Sequence, residues 1–228
     1  MDHPVFIVCG YGVPKNIFED PNYNAYLRPV FNTIYESTLS NLHPLIIACG
    51  GPTASEKPYD RTEGEEIITF LKNLEQRDFL KKRTRSWQFL PEKASLSTLE
   101  NLLFTRKILQ KKKITRAQLI IFCEQTRKRR ISIVARKIFP KSFRIKIHSI
   151  DFDISPNRYL DSAFIRTKER TELKHSLWAL QNPKNLQEHH RIFEEKFKLL
   201  RSVPPEKRQE AIRKWWMEKL EEAAPKSL

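Results

Sequence analysis

Three short apolar runs, each stopped by a glycine or a polar turn, limit what this chain can fold into. Val5-Phe6-Ile7-Val8-Cys9 ends before Gly10 and Gly12, Leu45-Ile46-Ile47-Ala48-Cys49 before Gly50-Gly51-Pro52, and Leu119-Ile120-Ile121-Phe122-Cys123 before a polar stretch. Unbroken runs of this length between turn signals suit strands buried on both faces, the habit of a parallel sheet. Trp87–Leu90 is a weaker run, and Phe143, Ile145 and Ile147 alternate with Arg144, Lys146 and His148 as a strand with one wet face does. Helical periods lie between them, through Tyr26, Val30, Ile34 and Leu39, through Ile67, Ile68, Leu71 and Leu74, and through Leu99, Leu102, Leu103, Ile108 and Leu109. A fourth, Ile131, Val134, Ala135 and Ile138, is closed by Pro140. Strands alternating with helices predict an α/β three-layer sandwich with a mostly parallel sheet and right-handed crossovers.

The grain changes near residue 152. Residues 160–181 and 186–201 have helical periods, and Pro204-Pro205 opens a last helix with Ile212, Trp215, Trp216 and Leu220 along one side. The expected organisation is an α/β domain over residues 1–152 and a helical C-terminal extension over 153–228 that packs on it or caps it. No apolar run approaches the roughly 20 residues that a membrane-spanning helix needs. No secretory signal is visible, and three cysteines are too few for a disulfide framework. Cytoplasmic residence is expected.

Charge is distributed unevenly. The chain of 228 residues has a formal net charge of +15. Residues 1–76 carry −5, residues 77–147 carry +17 and residues 148–228 carry +3. The basic clusters include Lys81-Lys82-Arg83, Lys111-Lys112-Lys113 and Arg127-Lys128-Arg129-Arg130. Such a segment suits an acidic partner, whether phosphate groups, nucleic acid or an anionic membrane, and suits equally a set of solvated helix faces.

In open α/β sheets ligands sit beyond the carboxyl ends of the strands. Gly10, Gly12 and Gly50-Gly51 fall there, where missing side chains let backbone N–H groups approach an anion. The chain has only five glycines, so their placement at two strand ends is informative. Neither the dinucleotide-binding nor the P-loop glycine pattern occurs. Two helices should begin at Thr62-Glu63-Gly64-Glu65 and at Ser97-Thr98-Leu99-Glu100. Both match the capping box, the first reading of these residues; acid–base chemistry by Glu63 or Glu100 is the second.

Taken together, Cys49-Gly50-Gly51, Thr62-Glu63, Glu92 with Ser95, Ser97-Thr98, Glu100-Asn101, and the Leu119–Cys123 run with Arg129 resemble the YdcF/SanA/ElyC-like family, a bacterial domain family of unknown function. The resemblance covers about residues 4–150 and is most specific between Ser95 and Asn101. It implies a Rossmann-like fold and a ligand site at Gly50, Gly51, Glu63, Ser95, Thr98, Glu100, Asn101 and Arg129. This sequence departs from the family in having Thr126 where a histidine is expected, Ser97 for asparagine and Gly64 for alanine. Losing the histidine removes the most plausible acid or base, which implies binding without turnover or chemistry through Glu63 or Glu100.

Cys9, Cys49 and Cys123 each end a run, so the thiols can approach one another; small buried hydrophobes are the first reading and a soft-metal site the second. No metal site is expected, no cofactor is named by the pattern, and the metalloprotease and hydrolase motifs are missing. The leading expectation is a protein that binds an anionic, phosphate-bearing or nucleotide-like small molecule, S-adenosylmethionine-like among them, as a binder, hydrolase or transferase. The alternatives are a nucleic-acid-binding protein using residues 77–147 and a peripheral envelope-biogenesis factor acting through partner contacts.

Overall fold

The computed structural model describes residues 4–38, 43–152 and 162–223. Leu39, residues 160–161 and the side chain of Leu220, named above within helical periods, lie outside the described residues. Two compact units divide the chain, Met1–Ile154 and Ser155–Leu228.

The first unit holds a five-stranded, all-parallel sheet: β1 (Pro4–Cys9), β2 (Leu45–Cys49), β3 (Gln88–Glu92), β4 (Ala117–Glu124) and β5 (Phe143–Ile150). Their order across the sheet is β3-β2-β1-β4-β5, the Rossmann-like arrangement in which crossovers diverge on either side of β1. The apolar runs became the central strands, and β5 lies at an edge. β1 pairs with β2 through Val5–Leu45 to Cys9–Cys49, and β2 with β3 through Leu45–Gln88 to Cys49–Glu92.

Side chains alternate across the sheet. Phe6, Val8, Ile46, Ala48, Ile120 and Phe122 face one side, packed with α1 (Pro21–Ser37) and α2 (Glu63–Glu75). Leu80 of α3 (Asp78–Thr84) and Trp87 join that core. The other side bears the three cysteines and meets α4 (Thr98–Lys111), and α5 (Lys128–Ile138) packs beside it. α3 is a seven-residue helix that the hydropathy pattern does not announce, because four of its residues are charged.

Helix starts are fixed by side chains. Asp20 caps α1 by accepting the Tyr23 N–H at 2.8 Å, Thr62 caps α2, and Ser97 caps α4 by accepting the Glu100 N–H at 3.2 Å. Such caps satisfy donors that the helix itself leaves without partners.

Among the described residues the second unit holds three α-helices, α6 (Ser162–Ala179), α7 (Pro183–Ser202) and α8 (Arg208–Ala223). Pro204-Pro205 leads into a short 3-10 turn before α8. Phe193 meets Trp215 and Trp216 edge-on at 5.8 and 6.0 Å. No helix of the described residues is long and apolar enough to cross a membrane.

Candidate functional site

Glu63, the first residue of α2, sits beside the loops that follow β1 and β2. A side chain at Gly10 or Gly50 would collide with the Glu63 carboxylate. Gly50 also has φ +140°, a conformation other residues rarely adopt. The Glu63 Oε1 accepts the Thr53 hydroxyl, and Thr53 Oγ1 in turn accepts the Val13 N–H at 3.2 Å. The glycines therefore make room for a carboxylate of this same chain.

That geometry corrects one expected role. The N–H of Gly50 donates to Glu92 O at 3.1 Å, and that of Gly51 donates to Ser95 O at 2.7 Å. A Cβ on Gly51 would stand 2.7 Å from Ser95 O. Both glycines spend their donors in the backbone and hold the β2 and β3 loops together, so they do not offer N–H groups to an anion.

Glu92 ends β3 in register with Cys49. Its Oε1 accepts the N–H groups of Ala94 at 2.7 Å and Ser95 at 3.1 Å, and its Oε2 meets the Ser95 hydroxyl. Ser95 Oγ also lies 2.5 Å from Asn101 Oδ1. Burial pushes the Glu92 carboxyl above the usual carboxylate range, although Ser95 and the Ala94 and Ser95 N–H groups oppose the rise. Asn101 also opposes the rise that burial imposes on the Cys9 thiol. The Ser95-to-Asn101 stretch is thus one buried polar network closing the strand ends.

Glu100 is 1 % exposed, and its Oε2 accepts the Leu96 N–H at 2.6 Å. With the Ser97 cap, Glu100 ties down the start of α4 from the N–H one residue before the cap, a variant of the capping box. Thr62 likewise meets Glu65, whose Oε1 also holds Lys93 at 2.9 Å. Thr98 opens α4 half-buried.

Arg129, expected to reach the site, is exposed on α5. The guanidinium that comes to the glycine loop belongs to Arg127: its Nη1 donates to Gly10 O at 3.0 Å, and its carbon lies 5.6 Å from the centre of the Tyr11 ring. Arg127 is half-buried and Arg130 is buried, and both charges favour the thiolate of Cys9. The reason is a 3-10 turn, Gln125–Arg127, between β4 and α5, which shifts the angular phase at which the helix starts. Thr126 is exposed within that turn, its hydroxyl on Glu124 Oε2 and its N–H on Glu124 Oε1 at 2.8 Å.

Tyrosines of α1 brace the first loop. Tyr23 accepts the Tyr11 N–H at 3.1 Å and donates to Gly12 O at 2.9 Å, and Tyr26 donates to Cys9 O at 3.2 Å. Burial, then the Glu63 charge, pushes the Tyr23 hydroxyl well above its ordinary pKa. Cys9 and Cys49 are neighbours in register, and Cys123 follows Phe122, which pairs with Val8. All three are buried free thiols; burial pushes Cys9 up to about 11 and raises the other two further. Among the described residues no group of three or more His, Cys, Asp or Glu side chains comes together for a metal ion.

The structure therefore brings Gly10, Gly50, Gly51, Glu63, Ser95, Glu100 and Asn101 to the carboxyl end of the sheet and turns Arg129 outward. Thr53, Tyr23, Glu124 and Arg127 complete the cluster without having been named as site residues from sequence, and so does Glu92, which entered only as part of the motif. A carboxylate ending a strand, as in Glu92 and Glu124, is the signal that could have found two of them. No family model, curated protein or solved structure matches the chain.

Proposed function

We propose that the chain is a cytoplasmic YdcF-like protein that binds a small, nucleotide-like molecule bearing an anionic group, at the carboxyl ends of β1 and β4. The observation that carries this reading is the meeting of Arg127 with the Gly10 loop where the crossovers diverge. Open α/β sheets take their ligands at that point. Arg127 supplies the charge for a phosphate or carboxylate, and guanidinium groups match both. Glu63 and Glu124 supply acceptors for hydroxyl or amino groups. In a hydrolase or transferase working here, Glu63 is the acid or base nearest the glycine loop.

The test is a thermal-shift screen of nucleotides, sugar nucleotides and S-adenosylmethionine. A ligand at 100 times its Kd should stabilise the fold by about 2.7 kcal/mol, raising Tm by roughly 5–10 °C. Arg127→Ala should abolish the shift and Arg129→Ala should leave it intact. A panel without response, or loss of the shift in Arg129→Ala alone, counts against the reading.

A further inference from the structure

The amino ends of the strands present different chemistry. Residues 77–85, 111–116 and 136–144 precede β3, β4 and β5 and together hold 13 basic side chains and one acidic. The acidic one, Asp78, is held by Lys81 at 2.8 Å; Glu36 and Glu75 lie near this edge at the ends of α1 and α2. Helices antiparallel to the strands end here, and a cation or two at each end answers the helix dipole. Lys112, Lys113, Arg116 and Lys141 lie beyond the helices and exceed that need. Among the described residues Lys111, Lys112 and Lys113 make no ion pair.

Lys112, Lys113 and Arg116 border a groove of about 620 Å³ whose lining also includes His43, Leu45 and Gln88. Lys113 is held at φ 58°, the one described residue other than glycine with positive φ. Its N–H donates to Gln110 O at 2.9 Å and that of Ile114 to Leu109 O at 2.9 Å, closing α4. Glycine is the usual residue at this position of a helix end, so the lysine is kept there against backbone preference. Phe79 of α3, the helix that leads into β3, is 76 % exposed and is not one of the residues lining the groove.

We propose that this amino-edge groove is a docking site for single-stranded nucleic acid, with Lys112, Lys113 and Arg116 on phosphates and Phe79 offering a ring on which a base stacks. A concave basic groove matches the way proteins track the phosphates of single strands, whereas a bilayer surface cannot enter a concavity. The proposal is independent of the small-molecule site at the opposite ends of the strands.

Fluorescence anisotropy with labelled 20-nucleotide single-stranded RNA and DNA tests it. Affinity should fall steeply with salt. Lys112→Glu/Lys113→Glu/Arg116→Glu should weaken binding at least 10-fold and reduce the slope of log K against log salt by about two. Lys174→Glu/Lys184→Glu/Lys198→Glu, with the same change in net charge on the helical unit, should weaken it less than 3-fold. Lys113→Gly gives the sharpest readout: Tm should rise while affinity falls several-fold, and Phe79→Ala should weaken binding without altering the salt slope. Overturning results are an absence of binding to single strands, equal losses in the two triple variants, a flat salt response, duplexes preferred to single strands, or capture by phosphatidylglycerol vesicles alone.

Discussion

At Ser95 one hydroxyl proton faces two acceptor atoms. Asn101 Oδ1 lies 2.5 Å away, and Glu92 Oε2 is the second acceptor. One hydroxyl proton cannot serve both acceptors at once, so a proton on the Glu92 carboxyl favours this contact, in keeping with a carboxyl that burial pushes upward. A raised carboxyl stabilises the fold at low pH, and that contribution is lost as pH climbs from 4.5 through the raised value. Glutamine mimics the neutral form with both bonds intact, so Glu92→Gln should match the wild type near pH 4 and gain on it as pH rises, in urea melts across pH 4–8. Glu92→Ala strips acceptors from two N–H groups and should cost about 2–4 kcal/mol. A Glu92→Gln variant that loses stability as pH rises would show that the buried group is charged.

At the scale of elements, α6 and α7 are joined by a buried imidazole pair. His175 Nδ1 and His189 Nδ1 are 2.8 Å apart, and the rings stack with centroids 4.8 Å apart. Burial lowers His175 to about 4, against the opposing pull of Glu172 and Glu188. A depressed histidine contributes stability at neutral pH that is lost as pH falls from 6.5 towards 4. The loss should reach about 3 kcal/mol, readable as an acid shift in tryptophan-monitored unfolding, and His175→Phe should flatten it. An unchanged profile would place the charge elsewhere. Elements were legible from sequence wherever burial left an apolar period: the strands ending at Cys9, Cys49 and Cys123, and the helices bearing Ile67 and Val134. α3 was hidden because its helix is short and charged, with only Leu80 and Thr84 buried. The site was legible where a motif forces local structure, as at Ser97–Asn101 and Gly50-Gly51. It was illegible at Arg127 and Arg129, since a single 3-10 turn decides which of neighbouring arginines faces in. The glycine donors were misread because spacing shows where a backbone can be approached and does not show what approaches it.

Across the whole molecule the three thiols set a measurable limit. Buried thiols with raised pKa are poor nucleophiles. The native protein should give no reaction with a thiol reagent at pH 8 over minutes, and three equivalents once unfolded. Rapid native labelling of even one thiol would mean that the strand ends open readily. The charge of the chain is likewise ordered along the strands, with carboxylates such as Glu63, Glu92 and Glu124 at their carboxyl ends and unpaired lysines at their amino ends.

Cys49 stands level with both Cys9 and Glu92 across β1, β2 and β3. Adding or deleting one residue within any of these strands would rotate its terminal side chain to the face covered by α1 and α2 and carry the following loop with it. Descendants of this sequence are therefore free to change length only between elements, and an insertion scan should find its tolerated positions there.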